Sequence, residues 1–318
     1  MSPTPLRTAV IALGGNALSP AGERATAANQ FRHTRESLAS VVDLALEGWN
    51  LCIVHGNGPQ VGDALLRNEI AGGEVEPLPL GLLVAATAGW IGYMIQQSLG
   101  NALRKAGSDR DVVSIITQVE VAQHDPALEN PTKPIGSHME EARAKQLAKK
   151  YRWTVREDAG RGWRRVVPSP KPQGILETSV IKTLAAAGYV VVACGGGGIP
   201  VIEDEQGDLQ GVEAVIDKDL ASSLLARSME ADLLVLPTGV EKVALDFNKP
   251  TQRWLDRMTL AEARRHLAED QFDKGSMGPK ITALIDFVAG GGHMGLITDA
   301  PNLSRALRGD TGTRVVAR

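Results

Sequence analysis

The sequence predicts an α/β fold whose central sheet is mainly parallel and covered by helices on both faces. Two observations predict it. Short β-rich runs, almost wholly apolar, alternate with segments long enough for helices of ten or more residues, and most of the runs end in glycine. Strands that read as continuous apolar runs belong to sheets buried on both sides, and helix-length connections between them give parallel neighbours.

The runs come in order. TAVIALGGNAL (8–18) opens with β-branched and apolar residues and closes on a Gly-Gly turn. NLCIVHGNGPQVG (50–62) follows a helical stretch that ends near Gly48. DVVSIITQVEV (111–121) is a third and YVVVACGGGGIPV (189–201) a fourth. ADLLVLPTGVEKVAL (231–245) and HMGLITDA (293–300) complete the set. Ligands of such sheets sit beyond the carboxyl ends of the strands, where these glycine loops fall. Position alone therefore points to a phosphate or small-anion site.

The 318 residues suffice for one large domain or two modest lobes, and 43% hydrophobic against 22% charged is the balance of a globular protein with ample core. Aromatics are only 4%, so Val, Leu, Ile and Ala must build that core. A net charge of −3 gives no reason to expect nucleic acid or an anionic membrane as partner. Cys52 and Cys194 lie in apolar runs and read as core thiols, not ligands. The N-terminus lacks the pattern of a secretory signal, which predicts a cytoplasmic protein. The stretch 78–95 carries no charge, but its glycines, its proline and the absence of close basic flanks predict a buried helix and a subunit interface rather than a membrane span.

Residues from about 123 to 172 break the alternation. They are polar, contain several prolines and carry many bases, among them Arg143, Lys149, Arg161, Arg164 and Arg165. The segment reads as an excursion from the core, a small lid or protruding subdomain. No RNA-binding pattern accompanies the bases, so a solvated face accounts for most of them.

The loops have a physical rationale. A loop that wraps a phosphate must bring backbone N–H groups close to oxygen, which a Cβ obstructs. Gly14-Gly15-Asn16, Gly56-Asn57-Gly58 and the run from Gly195 to Gly198 are three such loops. No G-x-x-x-x-G-K-[ST] occurs and no G-x-G-x-x-G follows the first strand, which excludes a P-loop protein and disfavours a dinucleotide oxidoreductase.

VIALGGNAL (10–18), VHGNGPQVG (54–62), NPTKPIG (130–136), VVPSPKP (166–172), ACGGGGIPV (193–201), EAVIDKDLASSLLA (213–226) and GSMGPKI (275–281) together resemble the carbamate kinase family, in order and over essentially the whole chain. The resemblance implies a three-layer αβα fold, a single amino acid kinase domain over 1–318 with a carbamate-binding lobe (about 1–212), a protruding subdomain (about 123–172) and a nucleotide-binding lobe (about 213–318). It implies a homodimer, ATP with Mg²⁺, and reversible phosphoryl transfer between ATP and carbamate, run mostly toward ATP in arginine or purine catabolism.

By the same resemblance Lys218 and Asp219 of IDKD, Lys280 of GSMGPK and Lys133 of NPTKPIG are the catalytic residues. Gly14, Gly15, Asn16, Gly56, Asn57 and Gly58 would hold the substrate, and Gly196, Gly197, Thr238, Val240, Met277 and Gly278 the nucleotide. No residue is expected to form a dedicated metal site. Two departures stand out. Sibling kinases have a lysine before the first Gly-Gly, where this chain has Ile11-Ala12-Leu13, so Lys133 is the replacement cation. GSHMEE (136–141) follows Ile135, where the family more commonly has an aromatic-containing stretch. The alternatives are another amino acid kinase with a different small carboxylate, or a silent homologue that binds carbamoyl phosphate or nucleotide.

Overall fold

The computed structural model describes residues 7–20, 22–158, 160–273 and 275–318, the side chains of Asn16 and Ala17 excepted. Its centre is an eight-stranded sheet. From one edge the order is Arg257–Thr259, Thr313–Val316, Met294–Asp299, Leu233–Thr238, Thr8–Leu13, Asn50–His55, Val190–Val192 and Val112–Ser114. The six strands from Met294–Asp299 onward run parallel, and the first two run the other way.

Alternate side chains of a strand point to opposite faces, and here both faces are buried. Val10, Ala12, Cys52 and Val54 join a core under the helices Lys218–Ser228 and Met277–Ala289. Ala9, Ile11, Leu13, Leu51 and Ile53 join a second core under Ala27–Leu46 and Leu80–Lys105. The result is three layers, helix on sheet on helix. The uncharged stretch 78–95 lies mostly in Leu80–Lys105, a helix with fourteen buried residues. Among the described residues no helix is long and apolar enough to cross a membrane.

Three of the expected strands divide. In DVVSIITQVEV only Val112–Ser114 belongs to the large sheet, while Gln118–Val121 joins a separate four-stranded sheet. YVVVACGGGGIPV splits likewise into Val190–Val192 and Ile199–Glu203, and Ile199 then pairs with Gln118. The break comes at Thr117, whose hydroxyl donates to the Ile115 carbonyl at 3.0 Å and accepts from the Cys194 N–H at 3.0 Å. Both chains therefore turn out of the main sheet together. ADLLVLPTGVEKVAL also ends as two strands, Leu233–Thr238 and Val243–Leu245, the second in a hairpin with Arg253–Leu255.

Residues 133–167 form a small body of their own. Its antiparallel sheet has the order Lys133–Met139, Trp163–Val167, Thr154–Glu157, with the helix Glu141–Tyr151 alongside. It docks on the helix Gly58–Ala71 through a joint that admits no side chain. A Cβ on Gly62 would lie 2.0 Å from the backbone nitrogen of Gly136.

Candidate active site

The parallel strands deliver their carboxyl ends to one edge of the sheet. Leu13 leads to Gly14, His55 to Gly56, Thr238 to Gly239 and Asp299 to Ala300, and all four of those following residues line one cleft of about 530 Å³. The first two loops touch. A Cβ on Gly56 would stand 3.0 Å from the Gly15 nitrogen and 3.1 Å from Cδ of Lys218, so glycine lets both loops and that lysine share the floor. Asn57 is buried and donates its side-chain amide to the Thr87 hydroxyl at 2.9 Å, with Gly196 packed against the amide. His55 sits behind the loop, fully buried. Its Nδ1 donates to the Gly56 carbonyl at 3.1 Å, and burial lowers its pKa to about 4, so the ring is neutral.

Three lysines and two aspartates face these loops. Asp219, on the first turn of Lys218–Ser228, accepts from Lys218 Nζ at 2.5 Å through one oxygen and from Lys280 Nζ at 2.8 Å through the other. Lys280 rides the first turn of a different helix, Met277–Ala289. Burial opposes ionisation of Asp219, but Lys218 and Lys280 outweigh it and hold the carboxyl far below the usual carboxylate range. Burial lowers Lys218 to about 8, with Asp219 acting against the drop. At Lys280 the attraction of Asp219 outweighs burial and raises the ammonium above its ordinary value. Lys133, at the start of the subdomain's first strand, pairs with Asp217. The two helices also turn their N-termini, the positive ends of their dipoles, to the same side.

Eleven of the sequence-derived residues thus line one cleft: Gly14, Gly15, Gly56, Asn57, Gly58, Lys133, Gly196, Lys218, Asp219, Thr238 and Lys280. The side chain of Asn16 lies outside the described residues. Gly197, Val240, Met277 and Gly278 are not among the lining residues. Gly197 is occupied with packing on Ile216, and Gly278 with the turn into its helix, where its N–H donates to the Asp273 carbonyl at 2.8 Å. Among the described residues no group of three or more His, Cys, Asp and Glu side chains forms a metal cage.

Sequence reasoning passed over several lining residues: Asp217, Asp158, Arg161, Arg164, Gly275 and Ser276. Asp217 had a signal, an acid immediately before a helical stretch, the position of an N-cap. Arg164 had none, being one base among many. In the fold it is buried, donating Nε to the Gly136 carbonyl at 2.9 Å and Nη1 to Asp158 at 3.1 Å. Asp158 also accepts from Arg161 at 2.9 Å and pairs with His138 at 2.9 Å.

The amino acid kinase family model matches residues 7–299. This chain belongs to the amino acid kinase family, and within it to the carbamate kinases. A carbamate kinase of Thermococcus kodakarensis is 48% identical over 315 residues, 98% of this chain and 99% of that relative. A structure of the Giardia lamblia carbamate kinase bound to citric acid superposes with a TM-score of 0.94 at 38% identity, covering 98% of this chain and 99% of the other. The same enzyme bound to AMP-PNP gives 0.88 at 39% identity, with the same coverage.

Proposed function

We propose that the cleft transfers a phosphoryl group reversibly between ATP and carbamate, giving ADP and carbamoyl phosphate. The observation that carries this is Asp219 holding two largely buried ammonium groups, from separate helices, against the glycine loops.

The chemistry asks for charge and alignment. A carbamate carboxylate oxygen bonds to the γ-phosphorus, and the bond from that phosphorus to the β–γ bridging oxygen breaks, with its electron pair leaving on ADP. Carbamate arrives ionised, so no general base is needed, and the neutral, buried His55 has no proton to remove. Negative charge spreads over the equatorial oxygens of the transferring group. Lys218, Lys280 and Lys133 neutralise it, and backbone N–H groups of the glycine loops supply fixed dipoles. Asp219 keeps Lys218 and Lys280 charged and in register. Gly56, Asn57 and Gly58 hold carbamate; Thr238, Gly239, Gly275 and Ser276 lie on the nucleotide side.

Mg²⁺ fits as a companion of the nucleotide. It would be held mainly by the nucleotide's own phosphate oxygens and water, with the cleft carboxylates Asp217 and Asp219 nearby, and would supply further charge neutralisation. We place the protein in the cytoplasm, with flux mainly toward ATP. A homodimer would bury the apolar face of Leu80–Lys105, where Leu82 and Tyr93 are more than half exposed and Ile116 lies beside Gly89. Sedimentation at twice the 33.8 kDa chain mass checks that assembly.

The decisive experiment is ATP formation from ADP and carbamoyl phosphate with Mg²⁺, comparing wild type with Lys218→Ala. Loss of about 10²–10³ in kcat is expected for one such cation. A wild type inactive with carbamoyl phosphate, or a fully active variant, would refute the reading.

A further inference from the structure

The subdomain is fastened to the helix Gly58–Ala71 at several points. Besides the Gly62–Gly136 joint, the Ser137 hydroxyl donates to Asp63 at 3.3 Å. Glu69 accepts from Trp153 Nε1 at 2.7 and 2.8 Å and from Arg165 at 2.7 Å. Toward the helix Lys218–Ser228 the subdomain reaches through Lys133 and Asp217.

Asp217 does two things at once. One oxygen caps that helix, accepting from the backbone N–H of Asp219 at 2.9 Å and of Leu220 at 3.4 Å. The other takes the Lys133 ammonium. An ammonium has three N–H donors, so two remain for the cleft that both residues line.

We propose that Asp217 is a positioning residue for phosphoryl transfer: its carboxylate aims the Lys133 ammonium at the transferring group and ties that aim to the helix bearing Lys218 and Asp219. Capping alone does not require a charge, since Asn or Ser caps as well as Asp. An unpaired carboxylate beside a phosphate site would repel the substrate. The charge is accounted for by Lys133, whose long stem hangs from a separate body and needs a fixed partner to keep one direction. Burial works against ionisation of Asp217, and Lys133 overcomes it, so the carboxyl stays below its usual range. The inference rests on the role given to Lys133 above.

The test is a double-mutant cycle in the ATP-forming assay, with wild type, Asp217→Asn, Lys133→Ala and the double variant. Asparagine keeps the cap and removes the charge. Asp217→Asn is expected to lower kcat/KM for carbamoyl phosphate about tenfold, the scale of one charge-assisted hydrogen bond, while KM for ADP stays within about twofold. In the Lys133→Ala background the same change should have an effect below about twofold, because its target is gone. Losses that multiply across the two substitutions would overturn the inference alone, as would an Asp217→Asn enzyme as active as wild type. A Lys133→Ala enzyme of undiminished turnover would overturn the role of Lys133 and the inference with it. Melting temperatures of all four proteins separate these outcomes from unfolding.

Discussion

Asp219 and Asp158 are each held by more than one basic side chain, and they serve different ends. Asp219 binds Lys218 and Lys280, which stand on two helices and meet only because the sheet brings both N-termini to one edge. Asp158 binds His138, Arg161 and Arg164, all from within the subdomain. Both side chains are nearly buried, at 6% and 10% exposure. The contrast teaches that an ion cluster is read by what it joins. One built from distant elements concentrates charge for chemistry. One built from neighbours holds a local shape.

The largest expected effect breaks the first cluster. Asp219→Ala leaves two ammonium groups buried without their carboxylate, which should cost about 3–5 kcal/mol in urea unfolding. Turnover should fall by at least the 10²–10³ expected of one lost cation, since both lysines lose their register. A variant of near-normal stability and rate would mean that Asp219 is not the organiser.

A smaller effect separates the clusters by pH. Lys218, lowered to about 8, loses its proton as pH rises through that value, which removes a positive charge from the cleft. The kcat profile should therefore fall on its alkaline side near pH 8. Asp158 titrates in the other direction. Burial opposes its ionisation, yet its hydrogen bonds to Arg164 and His138 hold the folded pKa below 3.8. Its contribution to stability is present above the unfolded pKa and is lost as pH falls through the folded one. Acid unfolding should register Asp158, and the alkaline rate profile should not.

The smallest effect sharpens the comparison. Asp158→Asn keeps the shape of the side chain and removes the charge between two guanidinium groups, at about 1.5–3 kcal/mol. Because Arg161 and Arg164 line the cleft, KM for carbamoyl phosphate should rise severalfold with kcat changed little. A fall in kcat comparable with that of Asp219→Ala would erase the distinction drawn between the two.

Much of this was legible in the sequence because it is carried by local pattern. Strands buried on both faces read as unbroken apolar runs, so Ala9–Leu13 and Leu51–Val54 announced themselves. Glycines at strand ends marked Gly14, Gly15, Gly56 and Gly58, and the short strings around Lys133, Lys218 and Lys280 carried the catalytic set. What was not legible depends on distant partners. The pair of Lys133 with Asp217 spans 84 residues, and nothing near either one names the other. Arg164 became distinct from its basic neighbours only once burial and the Gly136 carbonyl selected it. Where Thr117 turns the chain out of the main sheet, its hydroxyl answers an amide of Cys194, 77 residues on, and the apolar run alone shows no break.

The joint at Gly62 has a consequence for how such a chain can change over time. The outward face of the helix Glu141–Tyr151 can accept new residues because it meets solvent. Position 62 cannot take even a methyl group unless the whole appendage shifts, since its partner there is backbone and cannot shrink. Descendants of this sequence are free to redecorate the flap, while its mooring point stays pinned to the smallest residue available.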